Sequence, residues 1–479
     1  MVTAKRITRN TIFFLTALVI QKLLSFIYFT FLARYLGVEG IGQYFFAISF
    51  AAIFSVLMDF GLAPVLTREI AKSDKNDQEW FKQIFSLKLL FSIITVIVAI
   101  LLNNILFYED PVKNLIYFSI FIILIDSFTL LFYSFIRGRQ NLIYESIGVI
   151  IFQIIVLILG FTLMQYTTNI LLFIGVLFFA SLFNLIYSGI ILRFKLKIKL
   201  RLGYSKNLIK RIIVITMPFA LAAIFAKVYA YIDTILLKIF LGDIEVGIYS
   251  VAYKITFAFQ FIPLAFVASL YPAFTYYYKN NFEELKKIFI KSFNYLAYIS
   301  LPISLGIIAL APEIISKIYT TEFNFAIFPL QILIASLPFL FINFSLSSFL
   351  NATDNQKINT KNLCIVMIIN IILNIFLIKS LGVWGASLSS SLSTLLLFYL
   401  NLKKVIILTG KKIINLKPLF YNIISGIVMF LSVYYLKNII YWPLTIITGG
   451  LVYFMLMFFS KTLSSKDFIF IKELLFYKK

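Results

Sequence analysis

The sequence predicts an all-α, polytopic membrane bundle of about fourteen helices, and three observations carry that prediction. The 479-residue chain is 61% apolar and only 13% charged, with a mean hydropathy of +0.98. A soluble domain is about half apolar and roughly a quarter charged. Its apolar runs have the ~20-residue length that crosses a bilayer as a helix, too long for membrane strands that alternate over ~10 residues. No connection between the runs exceeds about twenty residues, which leaves no room for a catalytic domain outside the membrane. One cysteine excludes a disulfide framework and a cysteine-based metal cluster, and the absence of histidine removes the commonest general base and metal ligand.

In chain order the expected spans are 11–33, 41–66, 84–107, 112–136, 142–164, 168–192, 212–240, 246–274, 290–311, 326–350, 361–379, 383–401, 419–436 and 441–460. The first follows Lys5, Arg6 and Arg9, as a signal peptide would. It is too long for a signal core and has no small-residue cleavage site after it, so it is read as a retained span. Of the 43 basic residues, thirty-four then fall in alternate segments that include both termini, six on the opposite side and three within spans. Basic residues gather on the cytoplasmic side of membrane proteins. A plasma-membrane protein with both termini in the cytoplasm is therefore expected. The net charge of +23 is a topology signal with an attraction to membrane lipids, and needs no nucleic acid.

An internal repeat organises these spans. Leu36-Gly37, Gly42 and Tyr44 recur as Leu241-Gly242, Gly247 and Tyr249 at an offset of 205, and residues 20–50 share eight identities with 225–255, among them Lys22 with Lys227. Two six-span copies, 1–205 and 206–410, would be followed by an appended pair and tail, 411–479. Each copy has an even number of spans, so both enter from the same side. Parallel repeats of this kind suit alternating access around a site near the midplane.

An ionisable side chain at the bilayer centre costs roughly 2.5–3.5 kcal/mol, so each one calls for a reason. Lys22 lies mid-span with Gln21, Ser25 and Tyr28 at helical spacing. Lys227 holds the equivalent place, with Tyr231 and Thr234 after it, and Lys254 stands beside Tyr253 two turns into the eighth span. Lys22, Lys227 and Lys254, with Gln21, Tyr28 and Tyr231, are the candidate substrate-binding residues. Lys254 has a second reading, snorkelling to the outer face, which is also the reading of Lys238. Asp59, Asp126 and Asp233 are the intramembrane acids and the candidates for coupling transport to H⁺ or Na⁺; for Asp59 and Asp233 an ion pair with Lys22 or Lys227 is the other reading, and both stay open. No metal site and no cofactor beyond such an ion is expected. The uncharged polar residues of spans 10–12, such as Asn343, Asn370, Asn374 and the Ser387–Thr394 cluster, either bond helices together or form a sugar-facing wall.

Arg34-x-Leu36-Gly37-x-x-x-x-Gly42-x-Tyr44, then Asp59-Phe60-Gly61, Pro218, Asp233 and Gly382-x-x-Gly385-Ala386, resemble in order and spacing the polysaccharide-unit translocases. These are Wzx-type flippases of the superfamily that holds the MATE drug exporters and lipid II flippases. The resemblance covers essentially the whole chain. It implies a MATE-like fold and the flipping of a polyprenyl- or dolichyl-linked oligosaccharide to the outer leaflet, with no enzymatic step. A monomer is expected, with glycan-assembly enzymes as partners. Lipid II flippases are thought to use cavity cations, and Lys22 and Lys254 match that placement, although lysine stands where arginine is common. The alternative is a MATE-like H⁺- or Na⁺-coupled drug or organic-cation antiporter, whose site should be acidic rather than basic. A membrane glycosyltransferase is disfavoured by the short outer loops.

Overall fold

The computed structural model describes residues 4–72, 76–106, 108–410 and 416–463, with side chains at 4–12 and 416 excepted. The basic C-terminal tail and the side chains of Lys5, Arg6 and Arg9 therefore lie outside the described residues. Among those described there are sixteen α-helices and no strand. They are α1 (Ala4–Asp59), α2 (Leu62–Lys72), α3 (Asp77–Ile105), α4 (Asp110–Gly138), α5 (Leu142–Leu163), α6 (Ile170–Ile190), α7 (Lys206–Phe240) and α8 (Asp243–Ala258). Then come α9 (Phe261–Asn280), α10 (Phe282–Ile318), α11 (Ile327–Ala335), α12 (Leu337–Ala352), α13 (Gln356–Leu381), α14 (Val383–Thr409), α15 (Leu416–Leu436) and α16 (Trp442–Phe459).

Among the described residues thirteen helical stretches are long and apolar enough to cross a membrane. The first, Phe13–Asp59, contains the first two expected spans, parted at Gly37, whose φ of 70° and ψ of −176° are not helical. A side chain beyond Cα disfavours such angles, so the glycine is what lets two spans share one stretch. The protein is a multi-pass membrane protein, helical throughout its described spans. Three breaks depart from the expected spans: the eighth parts between α8 and α9, the tenth between α11 and α12, and the second stops at Asp59 instead of running to residue 66. Phe60 and Gly61 take φ of 45° and 72°, and the chain restarts as the short α2.

The chain forms two compact units, Met1–Ser250 and Val251–Lys479. In the first, α2, α3 and α4 bury Leu66, Ile70, Phe81, Ile84, Leu131 and Phe135 in a common core. In the second, α15 and α16 pack on α10 through Tyr298, Leu310, Met429, Val433 and Met457. There the Tyr453 hydroxyl donates to the Tyr298 carbonyl at 2.8 Å. The uncharged polar residues of the second unit bond helix to helix. Ser304 and Ser391 donate to the carbonyls of Ile334 and Ile332, Asn370 to Ser393, and Asn401 to Asn343.

Candidate functional site

The two copies of the repeat meet inside the first unit, where α1 packs on α7 and α8. A Cβ added at Gly42 would stand 1.9 Å from the carbonyl oxygen of Asp243, and one at Gly247 would stand 1.9 Å from that of Val38. Val38 and Asp243 are themselves 205 residues apart, as are the two glycines. The contact is thus reciprocal, each copy placing its glycine against the other's backbone about a local two-fold axis. Only glycine permits an approach this close. Beside it Lys238, two residues before the end of α7, forms a salt bridge of 2.7 Å with Asp243 and lies over the Phe46 ring.

Along the same helices the repeat brings its lysines together. Lys22 on α1 and Lys227 on α7 lie within electrostatic reach of each other. Lys22 is exposed at the surface of the unit, Gln21 and Lys227 are half-buried, and the Lys227 ammonium stands 5.4 Å from the centre of the Tyr231 ring. Among the described residues neither lysine forms a salt bridge. Tyr28 is buried with its ring against Gly160 of α5, and its hydroxyl has no hydrogen-bond partner among the described residues. Tyr44 lies within electrostatic reach of it. Lys254 falls in the second unit, half-buried, where its neighbour Tyr253 stacks on Phe257.

The acids take other partners. Asp233 is buried and accepts a hydrogen bond of 2.7 Å from the Tyr249 hydroxyl. Asp126 stands beside Ser181 of α6. Asp59 pairs at 2.7 Å with Lys88, whose side chain is 0% exposed. Lys88 falls near the start of the span expected at 84–107, and Asp59 is a partner that the sequence leaves open to Lys22 or Lys227. The structure puts Lys88 in the fourth turn of α3, facing inward. A buried cation needs a counter-charge, and only the packing of α1 against α3 could reveal that Asp59, 29 residues earlier, supplies it. Nearby, Arg137 on α4 forms a fork with Glu145 on α5, and Arg139 pairs with Asp77. This end of the unit is therefore closed by matched charges, whereas Lys22 and Lys227 are cations without a match. No group of three or more metal-ligating side chains gathers among the described residues.

Comparison with known proteins agrees with this architecture. The family model described as polysaccharide biosynthesis protein matches residues 7–277, and the MatE model matches 218–376. A probable low-salt glycan biosynthesis flippase, Agl15 of Haloferax volcanii, is 22% identical over 77% of this chain and 77% of its own. A putative O-antigen transporter of Shigella flexneri is 24% identical over 81% and 95%, and the capsular polysaccharide biosynthesis protein CapF of Staphylococcus aureus 23% over 83% and 99%. In fold the chain is similar to lipid II flippase MurJ in an inward closed conformation, with a TM-score of 0.78, 18% identity and coverage of 94% and 98%. It is also similar to an inward-facing MATE multidrug transporter, with a TM-score of 0.65, 15% identity and coverage of 82% and 96%.

Proposed function

Because the chain belongs to the polysaccharide biosynthesis protein family, we propose that it flips a polyprenyl- or dolichyl-(pyro)phosphate-linked oligosaccharide from the cytoplasmic to the outer leaflet of the plasma membrane. The observation that carries this reading is the pair Lys22 and Lys227, two mid-span cations within electrostatic reach of each other, neither in a salt bridge among the described residues. Their mutual repulsion adds to the cost of holding each in the membrane. An anionic headgroup lodged between them would relieve both costs at once. Ammonium groups bind phosphate as point charges and release it more readily than a bidentate arginine fork would. Tyr28, Tyr231 and Gln21 offer hydroxyl, ring and amide to the same headgroup. Transport proceeds by alternating access of the copies 1–205 and 206–410, with 411–479 appended, in a chain that acts as a monomer. With an inside-negative potential, outward movement of each negative charge gains ~2.3 kcal/mol per 100 mV. Asp233 and Asp126 are the carboxylates through which H⁺ or Na⁺ would couple, Asp59 being engaged by Lys88.

The test is reconstitution in liposomes with a fluorescent polyprenyl-pyrophosphate oligosaccharide, using the wild type, Lys22→Ala and Lys227→Ala. Flipping by the wild type and its loss in both variants is the expected result. Flipping that survives both substitutions removes the lysines from the mechanism. No flipping, with uptake of an organic cation driven by H⁺ or Na⁺ instead, replaces the proposal with the antiporter reading.

A further inference from the structure

The segment joining α6 to α7 has a composition that neither the fold nor the transport site uses. From 193 to 202 it reads Arg-Phe-Lys-Leu-Lys-Ile-Lys-Leu-Arg-Leu, five cations alternating with five apolar residues. It leaves α6 through a π-helical turn, Ile191–Lys195, and then runs without regular secondary structure along the start of α3. It is firmly held there. The Gln78 side chain donates to the Lys199 carbonyl at 2.7 Å and accepts from the Lys199 N–H at 2.9 Å. The N–H groups of Gly203 and Ser205 donate to the side chains of Ser86 and Gln83. Ile198 reaches back into the core beside Leu192 and Ile212. What the segment shows outward is both charged and apolar. Arg193, Lys195, Lys197, Lys199 and Arg201 are exposed, and so are Phe194 at 76%, Leu202 at 65% and Tyr204 at 81%. Arg193, Lys199 and Arg201 surround one open concavity of about 380 Å³. Among the described residues no carboxylate pairs with any of these three.

Neither of the two plain environments suits such a surface. Water would leave the aromatic and aliphatic side chains exposed at a cost, and the hydrocarbon layer would reject five cations in nine residues. The headgroup layer accepts both, since apolar side chains enter the acyl boundary while cations meet phosphates. The segment also sits where that layer must be, at the common end of two membrane spans. We infer that residues 193–204 form a docking strap for anionic phospholipid, with a lipid phosphate seated in the Arg193–Lys199–Arg201 concavity and Phe194, Leu202 and Tyr204 inserted beside it. By the basic-residue asymmetry this is the inner leaflet. The charge complementarity names the occupant: three clustered cations attract a phosphate monoanion, and the flanking apolar residues select one that carries acyl chains over one that is free in solution.

The strap is tested with the full-length protein in mixed micelles, by titration with fluorescent phosphatidylglycerol and with phosphatidylcholine bearing the same fluorophore. The comparison is with Arg193→Gln/Lys199→Gln/Arg201→Gln and with a control of equal charge loss elsewhere, Lys279→Gln/Lys361→Gln/Lys403→Gln. Each basic residue near an anionic surface is worth about fivefold in affinity. The wild type should therefore prefer phosphatidylglycerol by about tenfold or more; the strap variant should lose that preference while remaining monodisperse, and the control should keep it. The extra fluorescence of Tyr204→Trp should be quenched by lipid brominated near the headgroup. No preference in the wild type, a preference that survives in the strap variant, or equal loss in the control each overturns the proposal. Displacement of the lipid by inorganic pyrophosphate at micromolar concentration would also overturn it, since the concavity would then be a site for free anions. None of these readouts needs transport, so a protein that fails to flip its substrate can still pass this test.

Discussion

Replacing Gly42 by alanine tests the reciprocal contact most directly. Its new Cβ would lie 1.9 Å from the Asp243 carbonyl oxygen, 2.9 Å from the carbonyl carbon and 3.0 Å from the Gly247 nitrogen. All three atoms are backbone, so no side chain can swing aside. Carbon–oxygen contacts between close-packed helices settle near ~3.3 Å. The helices must therefore part by about 1.4 Å. Overpacking of this kind costs about 1–3 kcal/mol and sometimes more, against ~1 kcal/mol regained because alanine favours the helix more than glycine does. Gly247→Ala meets the Val38 carbonyl at the same 1.9 Å and should cost the same. The two contacts share one separation, so once the helices have moved for the first Cβ the second enters nearly free. The double variant should then lose little more than either single one, a coupling of about 1–2 kcal/mol. Thermal unfolding of the purified protein at a fixed scan rate reads this as a fall of several degrees for each single variant and about the same for the double. Additive losses would show that the contacts are independent, and unchanged unfolding would show that the helices are not this close.

Three further outcomes follow from the charges. Lys88→Met leaves Asp59 charged and unpaired and should destabilise by about 3–5 kcal/mol, whereas Asp59→Asn/Lys88→Met should recover most of that; equal losses in the single and double variants would rule out the pair. Lys22→Met and Lys227→Met should each raise the unfolding temperature, because a repelling mid-span cation is removed, while lowering flipping by about tenfold or more as a charged hydrogen bond to the headgroup is lost; a variant that is both less stable and fully active contradicts this. Tyr249→Phe strips the donor from the buried Asp233 and should cost about 1.5–3 kcal/mol, read by the same unfolding assay, with Asp233→Asn milder than Tyr249→Phe because it removes the charge that needs the donor.

Most of the helices were legible because the bilayer imposes one length on every crossing and leaves each run plainly bounded. What eluded the sequence was whatever depends on two distant segments meeting. Lys88 lies near the start of the span expected at 84–107, and only the packing of α1 and α3 shows Asp59 as its partner. The break before α2 was written in Asp59-Phe60-Gly61, but a glycine in an apolar run is common. Its reason, that a Cβ at Gly61 would meet the Ala220 nitrogen on α7 at 2.9 Å, is tertiary. Of the candidate site, Lys22 and Lys227 could be found together because the repeat gave each the other's address. Lys254, outside the lysine pair of the first unit, had no such second signal.

The repeat also accounts for the lysine pair itself. Residues close to a two-fold axis meet their own equivalents, so a duplicated chain sets like against like. At Gly42 and Gly247 this is harmless, because glycine against backbone is a good contact in both directions. At Lys22 and Lys227 it is costly, because it leaves two like charges within electrostatic reach of each other. Elsewhere the copies have escaped the constraint: the pair Tyr28 and Tyr44 in the first copy is Asp233 and Tyr249 in the second, where a carboxylate takes the phenol's place and finds a donor. Either lysine could have been exchanged in the same way for a carboxylate, which would have turned repulsion into an ion pair. The chain keeps two cations instead. Under the proposed function that arrangement has a physical use: an ion pair would be satisfied without substrate, whereas two like charges are relieved only by an anion from outside, which ties the energy of the site to the arrival of the lipid diphosphate.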